Sequence, residues 1–148
     1  MALNPTPRAL LFDVFGTCVD WRKSVVENLK AQSHEALNLA TASLASRVRL
    51  RASNMNTSGD AWPNFAQQWR NSYKRFTRQL AEDASIPWKS VDQHHLDSLK
   101  ELMAEWQIEG LWDDQKLREI SLIWHRLEPW TDSVLGVTLL NKLFCKHT

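Results

Sequence analysis

The chain opens with a short run of apolar residues and then changes to a helical pattern. Ala9 to Phe12 are apolar, and they are followed by Asp13 and, three residues later, by Gly16. A continuous apolar run of this length is typical of a strand that is buried on both faces, and glycine permits the backbone angles of a tight turn. The sequence therefore predicts one buried N-terminal strand with a carboxylate at its carboxyl end.

Beyond this run, apolar residues recur at steps of three and four, which is the period of an amphipathic helix. Tryptophan is unusually frequent, with eight in the chain, and four of these residues fall on the apolar stripes. We expect these four to be mostly buried: Trp62, Trp69, Trp106 and Trp124. The predicted helices run from Ser24 to Leu50, from Asp60 to Leu80, from Ser90 to Trp106 and from Asp114 to Leu127, with a shorter one from Val134 to Leu143.

Polar residues and helix breakers set the expected boundaries. Asn54 to Asp60 is a loop by composition, Gly110 is expected to end the third helix, and Pro129 stops the fourth. Each helix start needs a side chain that accepts a hydrogen bond from a free backbone N–H group. The predicted N-caps are Asp20, Ser90 and Asp113 or Asp114.

Composition narrows the class of protein. With 148 residues, 43% apolar and 24% charged, the chain suits one globular domain that is mainly α. A formal net charge of +1 gives no long-range field for nucleic acid or an anionic membrane, and no apolar run reaches the ~20 residues that span a bilayer. Cys18 and Cys145 cannot form the disulfide framework of a small secreted domain. We therefore expect a cytoplasmic protein without nucleic-acid or membrane partners.

The N-terminal residues carry a resemblance to a known family. The string Leu11 to Arg22, Leu-Phe-Asp-Val-Phe-Gly-Thr-Cys-Val-Asp-Trp-Arg, resembles the first motif of the haloacid dehalogenase superfamily, in particular its type II (S)-2-haloacid dehalogenase branch. Two further strings, Phe65 to Tyr73 and Trp124 to Gly136, are similar to helices of the cap in the same branch. The resemblance implies a helical-bundle cap attached to an α/β Rossmann-like core.

The resemblance also implies a chemistry. Asp13 is expected to be the nucleophile that displaces halide from a short 2-halo carboxylate, forming an aspartyl ester that water hydrolyses, with no cofactor and no metal. Thr17 supports the motif loop. Phe15 stands where phosphatases of the superfamily have a second aspartate, which disfavours phosphoryl transfer. Arg70 matches the arginine on the halide side of the substrate, where a fixed cation stabilises the leaving halide.

The same resemblance divides the chain. Residues 1–20 correspond to the strand and nucleophile loop, 21–131 to the cap, and 132–148 to the start of a return to the core. Later motifs of the family, including the lysine that pairs with the nucleophile, find no match, so we expect a truncated core and little or no dehalogenase activity. The alternative is a non-catalytic truncated or spliced cap fragment that acts at most as a binding module. A strand without partners also predicts self-association.

Three other groups of residues suggest competing functions. Asp92, His94 and His95 could indicate a metal site, but adjacent helical side chains point about 100° apart, so a solvated face is favoured. The basic run Arg47 to Arg51 could bind nucleic acid, but a solvated helix surface fits the low net charge better. His125 is expected to have a packing or capping role.

Overall fold

The computed structural model describes residues 9–39 and 43–144, and it is mainly helical in these ranges, as the sequence predicts. Six α-helices and one short 3-10 helix follow each other within these ranges. Their bounds are α1, Trp21–Asn38; α2, Ser46–Thr57; α3, Ala61–Glu82; α4, Val91–Glu105; α5, Asp114–Ser121; the 3-10 helix, Leu122–His125; and α6, Ser133–Phe144.

The predicted N-terminal strand is not confirmed. Residues 9–14 have no regular secondary structure, and the described residues contain no strand, only isolated bridges from Val19 to Phe15 and to Pro129. Leu11 is 98% exposed and Phe12 46%, so the apolar run is not buried. A lone strand needs hydrogen-bonding partners, and none lies beside it in the described part of the chain.

Two boundaries predicted from composition are wrong. The first helix does not continue to Leu50, because α1 ends at Asn38 and α2 begins at Ser46. The expected loop at Asn54 is helical as far as Thr57, since Val48, Ala52 and Met55 are buried on one face of α2. Tertiary burial of this stripe outweighs the weak helix propensity of its asparagine and serine residues.

The helix ends show which local signals operate. The Asp20, Ser90 and Asp113 side chains accept hydrogen bonds from the backbone N–H groups three residues later, at 3.0, 3.1 and 2.8 Å, which confirms these N-caps. The prediction that Gly110 ends the third helix is wrong. That helix stops at Glu105, and Gln107 takes the left-handed conformation with a φ of 60°, so a non-glycine residue makes this turn.

The core lies between helices α1 to α5, and tryptophans fill much of it. Trp62 and Trp69 are fully buried and Trp124 is 9% exposed, while Trp106 is half-buried and packs against the edge of the core. The predicted burial is thus confirmed for Trp62, Trp69 and Trp124 and only in part for Trp106. The fourth predicted helix is shorter than expected, because α5 tightens into the 3-10 helix that carries Trp124.

Apolar side chains are exposed at one end of the molecule. Leu10 and Phe12 line a small cleft together with Val137 and Leu140 of α6, and Val134 and Leu135 are each 63% exposed. No helix in the described ranges has both the length and the apolar character needed to cross a membrane. Self-association through this end stays a prediction.

Candidate functional site

The loop that carries the motif residues is a tight turn fixed by its own backbone. Cys18 and Val19 donate N–H hydrogen bonds to the Val14 carbonyl at 2.9 and 3.1 Å, and Gly16 donates to the Val19 carbonyl at 3.0 Å. Gly16 has a φ of +98°, a conformation that L side chains rarely adopt, so glycine is required at this point. The turn therefore holds Asp13, Phe15 and Thr17 in a defined order around its glycine.

The Asp13 side chain has one hydrogen-bond partner in this loop. Thr17 Oγ1 donates to Asp13 Oδ2 at 2.8 Å, and the supporting role expected of this hydroxyl stays a prediction. The Cys18 thiol donates to the Asp13 backbone carbonyl at 3.3 Å. Asp13 is an exposed residue, and no ion pair with its carboxylate is found among the residues that the structure describes.

A second segment attaches this loop to the helical layer. The Asp20 N–H donates to the Glu128 carbonyl at 2.8 Å, and the Trp130 N–H donates to the Cys18 carbonyl at 3.1 Å. The Trp130 indole donates to the Gly16 carbonyl, also at 3.1 Å. These bonds join residues more than a hundred positions apart, so the loop is held against the chain that follows the 3-10 helix.

Arg70 and Phe15 lie in direct contact. The guanidinium carbon of Arg70 is 4.5 Å from the centre of the Phe15 ring, which is a cation–π geometry. Arg70 also lies 5.8 Å from the Tyr73 ring, and its neighbour Trp69 is anchored in the core. Helix α3 thus brings the arginine to the residue two positions after Asp13.

A small pocket opens beside this contact. It has a volume of about 140 Å³, and Asp13 is not one of its lining residues. The pocket contains aromatic walls, one cation and one carboxylate. It is lined by Phe15, Arg70, Tyr73, Val91, Asp92, His95, Trp124 and His125.

His95 forms an uncharged wall of the pocket. It is only 5% exposed, and its ring stacks on Trp124 at 5.0 Å and meets Trp69 edge-on at 6.0 Å. Burial, with a smaller contribution from His94, lowers the pKa of His95 to about 4. Its Nδ1 atom is buried and has no hydrogen-bond partner. His95 is therefore a neutral imidazole near pH 7.

The solvated face expected for Asp92, His94 and His95 is only partly correct. Asp92 is exposed, but His94 is 8% exposed and stacks on Phe76 at 4.4 Å, and burial lowers its pKa. The reason is that both imidazoles have aromatic partners on α3. Within the described ranges, no three metal-binding side chains are grouped so that they could hold an ion. The arginines of the 47–51 run are exposed, as expected.

His125 makes a hydrogen bond that the sequence did not reveal. Its Nε2 atom lies 2.6 Å from Asp92 Oδ1, and both side chains are about half exposed at the mouth of the pocket. Because an ionised carboxylate can only accept, His125 donates through Nε2–H in this pair. This hydrogen bond links the 3-10 helix to the first turn of α4. The packing or capping role expected for His125 stays a prediction.

Comparisons with protein-family models, with curated proteins and with solved structures found no match to this chain.

Proposed function

We propose that this chain carries the nucleophile and the halide side of a haloacid dehalogenase-like hydrolase that acts on 2-halo carboxylates. Asp13 is the nucleophile, Thr17 orients its carboxylate, and Phe15 and Arg70 form the halide side of the substrate site. The reaction requires no cofactor and no metal ion in this proposal.

The first chemical step is displacement at carbon. The Asp13 oxygen that accepts no hydrogen bond from Thr17 attacks C2 of the substrate. The carbon–halogen bond breaks, the halide leaves with both electrons of that bond, and the configuration at C2 is inverted. Arg70 stabilises the negative charge that develops on the departing halide. The product of this step is an ester between Asp13 and the former C2 atom.

The second step is hydrolysis. Water adds to the ester carbonyl carbon of Asp13, and the acyl–oxygen bond breaks. The 2-hydroxy acid leaves, the Asp13 carboxylate is regenerated with one oxygen from water, and one proton is released. The sum is 2-halo carboxylate plus water giving 2-hydroxy carboxylate, halide and a proton.

The observation that carries this proposal is the contact between Arg70 and Phe15, 4.5 Å from guanidinium to ring centre, two residues from the bonded Asp13–Thr17 pair. The aromatic ring shields one face of the cation from water, and a partly desolvated cation stabilises an anion more strongly than a fully hydrated one. Phe15 and Arg70, which the family resemblance assigns to one site, are far apart in the sequence, and their contact in the folded chain supports this assignment.

A second candidate is a non-catalytic binding module, and one observation favours it. Asp13 forms no ion pair in the described part of the chain, so no cation there orients the carboxylate or stabilises charge beside it. A positioned charged group of this kind often contributes ~10² to 10³-fold to a rate. We therefore expect turnover by the 148-residue chain to be slow.

Halide release tests the two candidates against each other. The purified chain is incubated with 2-chloropropionate, and free chloride is measured beside the Asp13→Asn variant, which is nearly isosteric. The enzyme proposal predicts slow release that the substitution abolishes. Release that is equal in both proteins, or absent from both, refutes it and leaves the binding module.

A further inference from the structure

The pocket beside Phe15 and Arg70 has the size and the walls of a receptor for one ring. Its volume of about 140 Å³ is close to that of engineered apolar cavities of about 150 Å³, which bind benzene, and it is well below the ~300 Å³ at which pockets for drug-sized ligands begin. A methyl group leaves most of this space empty, whereas a single six-membered ring fits within it.

The walls of the pocket are suited to an aromatic or aliphatic ring. Phe15 and Trp124 lie 6.4 Å apart between ring centres, inclined at 57°, and His95 stacks on Trp124 at 15°. Offset or edge-on contacts with such rings stabilise an inserted ring beyond the burial of its area. His95 is uncharged near pH 7, so inserting an apolar ring beside it does not desolvate a charge.

The charged groups at the rim set the orientation of a ligand. Arg70 lies against Phe15 on the side of the nucleophile loop, which favours an anionic group there. Asp92 lies at the rim with His125 as its hydrogen-bond partner, and its carboxylate disfavours a second anionic group on the bound molecule. The rim therefore favours a monocarboxylate with its apolar substituent in the pocket.

We propose that this pocket binds the C2 substituent of the substrate and that this substituent contains one six-membered ring, so that the ligand class is ring-bearing monocarboxylates. The inference rests on the proposed function for the placement of halide and nucleophile, but the pocket itself is tested by binding alone. The ring lies against the edges of Phe15 and Trp124 that face the pocket, and C2, which carries both the halogen and the carboxylate, lies on the side of Arg70.

The test uses ligands that have no halogen and therefore cannot react. Binding of 3-phenylpropanoate and of propanoate is followed through the Trp124 indole N–H signal in NMR spectra, which the Trp124→Phe variant identifies. We expect a saturable shift with 3-phenylpropanoate and an affinity at least about tenfold weaker for propanoate, because burial of the ring is the main favourable term. Equal affinities for the two acids overturn the proposal.

A pair of matched variants locates the ring. Val91 lines the pocket at the exposed start of α4, so Val91→Trp fills the space, while Leu50 is an exposed apolar residue of α2 outside the pocket. We expect V91W to weaken 3-phenylpropanoate binding about tenfold, because the ring loses its contacts in the pocket. We expect L50W to change this affinity by less than about twofold. Binding that V91W leaves unchanged also overturns the proposal, whereas the comparison of the two acids needs no variant.

Failure of the proposed function and failure of the ring pocket give different results. If the ring-bearing acid binds as expected but 2-chloro-3-phenylpropanoate releases no chloride, the proposed function fails and the pocket assignment stands. If chloride is released from 2-chloropropionate in an Asp13-dependent reaction but the two unreactive acids bind equally, the proposed function stands and the ring pocket fails.

Discussion

Replacing Trp69 tests whether the aromatic core positions the candidate site. The Trp69 side chain is fully buried, its indole N–H donates to the His95 carbonyl and to Ser98 Oγ, both at 3.1 Å, and its ring packs edge-on to Trp124 at 5.3 Å. It thus joins α3 to α4 directly beside the pocket. Truncating a buried tryptophan to alanine removes its hydrophobic transfer energy and leaves a cavity, which together cost about 3 to 5 kcal/mol.

Two further variants separate the components of this cost. Trp69→Phe keeps most of the ring but removes the N–H donor, so we expect it to lower the free energy of unfolding by about 1 to 2 kcal/mol. Trp88 is 81% exposed, and Trp88→Ala, the matched control, is expected to change this free energy by no more than about 0.5 kcal/mol.

Urea unfolding followed by far-UV circular dichroism measures all three variants against the unmodified chain. The order expected for the loss in unfolding free energy is Trp69→Ala, then Trp69→Phe, then Trp88→Ala. A Trp69→Ala protein that loses less than about 1 kcal/mol, or that is no less stable than Trp88→Ala, contradicts the described packing of α3 on α4.

Three further predictions concern the charge and hydrogen bonding of the site. The lowered pKa of His95 means that the unfolded chain binds a proton that the folded chain does not, so the free energy of unfolding falls as pH decreases from about 6.5 to 4. His95→Phe reduces this dependence in urea titrations at a series of pH values, and the part due to buried His94 remains. The exposed His34→Phe control leaves the full dependence in place. Thr17→Val removes the hydrogen bond to Asp13 and is expected to lower chloride release about tenfold with unchanged unfolding, because the bond is exposed; a stability loss without a rate loss contradicts its supporting role. Arg70→Lys keeps the positive charge but loses the contact between the planar guanidinium and the Phe15 ring, so we expect added bromide to inhibit this variant more weakly, as measured by initial rates. If Arg70→Ala is inhibited by bromide as strongly as the unmodified chain, Arg70 does not form a halide site.

The sequence predicted those features of the fold that depend on local patterns. N-caps such as Ser90 need only a side-chain oxygen at the right spacing, and burial of Trp69 follows from the helical period of its apolar neighbours. The break between α1 and α2 could not be predicted in the same way, because it depends on which face of α2 packs on the core. For His95 a signal was present, since it shares the stripe of Leu99 and Leu102, but its polar character suggested a solvated face.

The candidate site also combines features that the sequence indicated with contacts that only the folded chain shows. The roles of Asp13 and Arg70 came from resemblance to family motifs, and only the folded chain brings Arg70 onto Phe15. The Asp92–His125 pair joins residues 33 positions apart on two different elements, so no spacing rule could indicate it. Contacts of this kind depend on the crossing of helices and are not encoded in any local pattern.

The identity of the nucleophile is tested most directly by mapping the mass of the peptide that contains Asp13. Because 2-halo acids also alkylate thiols, the experiment uses a chain with Cys18→Ser and Cys145→Ser, incubated with 2-bromopropionate in water enriched in heavy oxygen. We expect the Asp13 carboxyl to gain either the propanoate ester or heavy oxygen, and neither change to appear in Asp13→Asn. An Asp13 peptide of unchanged mass, or lactate that forms equally with Asp13→Asn, contradicts it.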